Sequence, residues 1–113
     1  MTLQEVRAMV ESIGLPCCYY QFKTGPNNPP PPPPPFVCFF YPNGDDAMAD
    51  NINYAHINAL VIELYTDDRN FVLESQLEAV LIAHNLSYTW AASYIDSEQM
   101  HLTTYNTEVL ING

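Results

Sequence analysis

Apolar positions along this chain recur at two spacings. Leu3, Val6, Val10 and Ile13, with Met9 beside them, fall three and four residues apart, which is the period of a helix. Thr2 and Glu5 supply the two halves of a capping box ahead of them. Gly14 suits a left-handed stop and Pro16 prevents continuation, so helix one is predicted over residues 2–13. Residues 17–22 and 36–41 are short and aromatic and read as strands. The longest strand spans residues 54–66. There Leu60, Ile62 and Leu64 point one way, and Ala59, Val61, Glu63 and Tyr65 the other. A second helix is predicted over residues 69–84, capped by Asp67 or Asp68, with Asn85 just past its end. Its expected buried stripe is Leu73, Leu77, Val80, Leu81 and His84, with Glu74 and Glu78 facing away.

Residues 86–95 alternate again, with Leu86, Tyr88, Trp90, Ala92 and Tyr94 on one face. A turn at Asp96, Ser97, Glu98 and Gln99 leads into a last strand. In it Met100, Leu102 and Thr104 oppose His101, Thr103 and Tyr105. The order is α-β-β-β-α-β-β. Consecutive strands with short links predict an α+β fold, an antiparallel sheet of four to five strands with both helices on one face. The 113 residues fit a single domain over 1–113, without internal repeats.

The proline content changes one part of this picture. Residues 23–35 form a proline-rich loop inserted between the first two strands, which are expected to pair as a hairpin across it. Proline occupies every position from Pro29 to Pro35. Such a run has no N–H to give to a sheet interior. It reads as a polyproline II rod of about 22 Å, at ~3.1 Å per residue. Rods of this kind dock into aromatic grooves or act as stiff spacers. Docking motifs need flanking specificity residues, often basic, and Lys23 is the only cation nearby. The loop is therefore expected to be a spacer or a bridge between subunits. A further turn is expected at Pro42, Asn43 and Gly44.

Charge removes several classes of function. Thirteen acids stand against Arg7, Lys23 and Arg69, for a formal charge of −10. Three scattered cations cannot neutralise a run of phosphates, so direct nucleic-acid binding is not expected. Anionic membrane surfaces are disfavoured for the same reason, and no apolar run approaches the ~20 residues that cross a bilayer. The start of the chain lacks the basic and apolar blocks of a secretory leader. A soluble protein made in the cytoplasm is expected. Cys17, Cys18 and Cys38 are odd in number, and two are adjacent, which argues against a disulfide framework and for small buried thiols.

Candidate chemistry is sparse. His56, His84 and His101 lack any metal-ligand spacing, and Cys17-Cys18 lacks the spacer of a zinc or redox knuckle. Asp45, Asp46 and Asp50 cluster after Asn43-Gly44, but not at calcium-loop spacing, and read as a solvated turn. No nucleophile elbow or phosphate-cradling glycine pattern occurs. No catalytic, metal or cofactor site is expected. The remaining signal is a surface. Eight tyrosines are spread over several strands, and two helices cover one face of a sheet. The other face, with Val61 and Tyr65 and with Tyr19 and Tyr105 as further candidates, is expected to meet a protein partner, joined by the loop ends Pro29 and Pro35.

Three segments in this order carry a resemblance. Gly14-Leu15-Pro16 precedes Tyr19-Tyr20-Gln21-Phe22. Ile62-Glu63-Leu64-Tyr65-Thr66-Asp67-Asp68 leads into Phe71-Val72-Leu73-Glu74. Tyr94-Ile95-Asp96-Ser97-Glu98-Gln99-Met100 opens the last strand. Together, from residue 14 to 105, they resemble the small tail-terminator or tail-completion proteins of long-tailed bacteriophages and prophages. The proline loop is longer than that family leads one to expect. The resemblance implies a structural virion component, not an enzyme, which forms rings, usually hexameric, at the head-proximal end of the tail tube. Its implied partners are further copies of itself, the tail tube protein and head–tail connector proteins. An acidic ring would also repel DNA phosphates from its channel. A neighbouring head–tail joining protein (stopper or connector), or a cytoplasmic binding module working through the proline loop, are the competing expectations.

Overall fold

The computed structural model describes residues 1–23, 25–42 and 56–111, with side chains from residue 57 onward in the last stretch. The turn at Asn43-Gly44, the acidic cluster Asp45, Asp46 and Asp50, the strand start at Tyr54 and the side chain of His56 lie outside these residues. The chain runs α1 (Leu3–Glu11), β1 (Cys17–Tyr19), β2 (Phe36–Phe40), β3 (His56–Thr66), α2 (Phe71–Ala83), β4 (Tyr88–Ile95) and β5 (Met100–Ile111). It is an α+β fold in the expected element order.

Five strands form one sheet in the order β1-β2-β3-β5-β4. The sheet is mixed rather than antiparallel throughout, because β1 runs parallel to β2, with Cys17, Cys18 and Tyr19 beside Val37, Cys38 and Phe39. The expected hairpin across the proline loop does not form. Tyr20 takes a left-handed backbone (φ 72°) directly after β1. The segment from Tyr20 through the prolines then returns to the end of the sheet where β1 began. Val37 N–H donates to Pro16 C=O at 2.9 Å, and Tyr20 N–H to Phe39 C=O at 2.8 Å, which fixes the parallel register. The other pairings are antiparallel, and Ile62 faces Tyr105 across the central pair.

The core lies on one face. Val37, Phe39, Leu60, Ile62, Leu64, Tyr105 and Val109 from the strands meet Val6, Met9 and Val10 of α1 and Leu77 and Leu81 of α2. The capping box of α1 is in place: Glu5 N–H donates to Thr2 Oγ1 at 3.1 Å, and Thr2 N–H donates to Glu5 Oε1 at 2.9 Å. These bonds to the charged form hold the Glu5 carboxyl below the usual range.

Helix α2 departs from expectation at its start and in its orientation. The cap is Asn70, not Asp67 or Asp68, with Asn70 Oδ1 accepting from Leu73 N–H at 3.0 Å. Asn70→Ala should therefore cost about 1 kcal/mol in urea melts, while Asp68→Ala should stay within about 0.5 kcal/mol. At the far end Asn85 (φ 60°) behaves as expected. Leu86 N–H reaches Leu81 C=O at 3.0 Å, and Asn85 N–H reaches Ile82 C=O at 2.9 Å, a Schellman closure. The expected stripe holds for Leu73, Leu77, Val80 and Leu81, which pack on the core, but Glu74 and Glu78 lie on its border instead of facing away, and His84 is exposed. Glu74 is only 5% exposed and pairs with Arg69 at 3.3 Å. Tyr105 Oη donates to Glu78 Oε2 at 2.8 Å. These two polar partnerships accommodate the carboxylates beside the apolar stripe.

Candidate protein interface

The face away from the helices carries Phe36, Cys38 and Phe40 of β2, Val61, Glu63 and Tyr65 of β3, and Leu102, Thr104 and Asn106 of β5. Its β2 side is roofed by the chain itself. Tyr20 packs on Phe40 (ring centroids 5.0 Å apart), Phe22 on Phe36 (5.3 Å), and Phe36 stacks on Tyr65 (4.8 Å). With Pro31, Ile95 and Met100 these rings line a half-open pocket of about 510 Å³. Glu63 lies on its floor, where desolvation raises the carboxyl above its ordinary range, and Tyr65 Oη donates to its Oε1 at 3.2 Å. Burial and the adjacent Glu63 raise the Tyr65 phenol as well.

The expected interface residues therefore separate. Val61 and Tyr65 do lie on the face away from the helices, but Val61 is buried, and Tyr65 is half-buried at this pocket. Tyr19 and Tyr105 lie on the opposite face, a correction to the expected surface. Tyr19 is half-buried against Phe39, with centroids 5.4 Å apart. Tyr105 is wholly buried beneath α2. Strand alternation explains both placements, because Tyr105 is the register partner of Ile62 and Tyr19 that of Phe39. Pro29 and Pro35 are exposed at the ends of the proline run.

The apolar surface that stays open is elsewhere. Phe71, Val72 and Ile82 on α2, and Trp90 and Tyr94 on β4, are each 52–67% exposed. The Arg69 guanidinium lies 4.7 Å from the Phe71 ring and 5.2 Å from that of Trp90, so it bridges helix to strand. Phe71, Val72, Ser75, Gln76 and Ala79 line a shallow, mostly apolar groove on the outer side of α2. Among the described residues strand β4 pairs only with β5, so its other edge meets no strand there. All eight residues of β4 are uncharged, and none is proline. Edge strands usually carry charge or proline to discourage pairing with another chain. In a chain of net charge −10 an uncharged edge is the place where two copies can approach with least repulsion. The plain sequence signal for it was an eight-residue strand lacking Asp, Glu, Lys and Arg.

A larger furrow of about 680 Å³ runs past Leu86, Tyr88, Thr89, Asn106 and Glu108 but gathers no group of titratable side chains. No cluster of three or more metal-ligating side chains occurs among the described residues. No helix among them is long and apolar enough to cross a membrane. Comparison with known family models, with curated proteins and with solved structures returned no match.

Proposed function

We propose that this chain is a structural component of a bacteriophage tail, a ring-forming protein of the terminator or completion type at the head-proximal end of the tail tube. One observation carries the reading: an uncharged, open strand edge lies beside exposed Phe71, Val72, Trp90 and Tyr94 on an otherwise strongly acidic molecule. An edge of this kind adds to a neighbour by main-chain hydrogen bonds, with the flanking aromatic groups supplying buried area. Repeated around an axis, a contact of one patch with a different patch on the next copy closes a ring. The three ordered sequence segments supply the link to phage tails. An open five-stranded sheet under two helices favours the terminator reading over a stopper or connector, where a small barrel is expected. Pro31 borders the chain's own aromatic pocket, which favours a built-in role for the proline loop over recruitment of a separate groove domain.

Native mass measurement of the purified protein, alone and mixed with tail-tube subunits, tests this reading. A closed multiple, six copies by the resemblance, is the expected species. A monomer under both conditions overturns the proposal.

A further inference from the structure

The three cysteines are free thiols, and strand alternation divides them. Cys17 is the register partner of Val37 and packs against the core on the helix-covered face. Cys18 is the register partner of Cys38 on the opposite face. The Sγ atoms of Cys18 and Cys38 lie 3.0 Å apart. We propose that Cys18 and Cys38 are a disulfide-forming pair that closes in an oxidising disulfide pool and staples β1 to β2.

Three thiols allow three pairings, and the sheet selects one. Neighbouring strands lie about 4.8 Å apart, inside the Cα separation of about 4.4–6.8 Å that a disulfide spans. Register partners on one face therefore need only side-chain rotation to bond. Cys17 projects to the other side of the same strand, away from both sulfurs. The bond forms by two exchanges. Cys18, half-buried on the edge strand, loses its proton and attacks one sulfur of a small-molecule disulfide such as oxidised glutathione. One glutathione thiolate leaves, and a mixed disulfide remains on Cys18. Cys38 then loses its proton, its sulfur attacks Cys18 Sγ, and the second glutathione thiolate leaves. Both cysteines are oxidised, one glutathione disulfide is reduced to two thiols, and these take up the two protons.

Burial raises both thiols above their ordinary range and so disfavours the attacking thiolates. Closure is accordingly slow near neutral pH and accelerates as pH rises. Its structural consequence is local. Strand β1 is three residues long and, among the described residues, paired on one side only. The cross-link ties it across 20 positions of chain, including Phe22 and Pro31, which border the aromatic pocket. The inference does not depend on what the chain assembles into.

The test uses the full chain, incubated with excess oxidised glutathione or with dithiothreitol, then digested with trypsin without reduction. Cleavage after Arg7, Lys23 and Arg69 places Cys17 and Cys18 on peptide 8–23 and Cys38 on peptide 24–69. The expected product is a monomer lighter by two hydrogens with these peptides linked. The link should persist in Cys17→Ser and disappear in Cys18→Ser. The oxidised wild type should melt about 10 °C above the reduced form, from loop-closure entropy. Four outcomes overturn the proposal: unlinked wild-type peptides in excess oxidant, a glutathione adduct that never closes, a link that survives Cys18→Ser, or linkage only between separate chains.

Discussion

Tyr105→Ala is expected to destabilise the fold by about 3–5 kcal/mol, the range for deleting a large aromatic side chain from a packed core. The Tyr105 ring is fully buried at the centre of the β3–β5 pair, beneath α2 and edge-on to Tyr88, with centroids 5.7 Å apart. Its hydroxyl donates to Glu78 Oε2 at 2.8 Å. Burial, and then this bond, raise the phenol well above its ordinary range, so it stays a neutral donor under all ordinary conditions. Removing the ring opens a cavity at the seam between helix and sheet. Tyr105→Phe keeps the ring and loses one hydrogen bond, so its cost should be about 1 kcal/mol. Urea melts of both variants separate the two contributions. A cost below about 1 kcal/mol for the alanine variant would show that the ring does not fill the core as described. For a domain of 113 residues the larger figure is a drop of roughly 15 °C in Tm.

Ala91→Glu is expected to leave the isolated subunit folded while abolishing its assembly. Ala91 is exposed on β4, facing away from the helices, so a longer polar side chain has room and monomer stability should move by no more than about 0.5 kcal/mol. At a contact between two acidic copies the new carboxylate is placed in an otherwise uncharged strand. Like-charge juxtaposition at an interface costs several kcal/mol. A loss of 2 kcal/mol is already roughly a thirtyfold weaker contact, and a ring pays it at every interface. Analytical ultracentrifugation should show monomer where the wild type shows the closed species, with unchanged circular dichroism. An Ala91→Glu ring as stable as the wild type would remove β4 from the assembly contact.

The strands were legible because alternation is local. Leu60, Ile62 and Leu64 were assigned to one face and Val61 and Tyr65 to the other from spacing alone, and the structure keeps them there. The inner stripe of α2 was legible at Leu73, Leu77, Val80 and Leu81, but the placement of Glu74, Glu78 and His84 was not. Phe71, Val72, Leu73, Leu77, Val80, Leu81 and Ile82 surround its axis. The inward turn of the two glutamates goes with Arg69 and with the Tyr105 hydroxyl 27 positions from Glu78. Those are tertiary partners that periodicity cannot register. The cap was misassigned because Asp67, Asp68 and Asn70 are all good capping residues, and only the backbone path puts Asn70 in reach of Leu73 N–H. The direction of β1 was hidden for a related reason. A long loop permits either a hairpin or a return to the starting end, and the aromatic contacts of Tyr20 and Phe22 accompany the second. The tyrosines counted as interface candidates were chosen by type, whereas strand parity decides their placement. The exposed outer side of α2 escaped because the stripe analysis gave no place to Phe71, Val72 and Ile82 and set only Glu74 and Glu78 on the outside.

The position of β4 at the end of the sheet also determines how its amides should trade hydrogen for deuterium. Strand β3 over Val61–Tyr65 and strand β5 over Met100–Thr107 are flanked on both sides, and their N–H groups there should become labelled only when the whole molecule opens. Along β4 one N–H in two points toward β5 and its neighbour points outward. The free subunit should thus carry a two-speed record, slow and fast labelling alternating residue by residue from Tyr88 to Ile95. A docked neighbour would slow the fast set alone and so make the edge visible without any substitution.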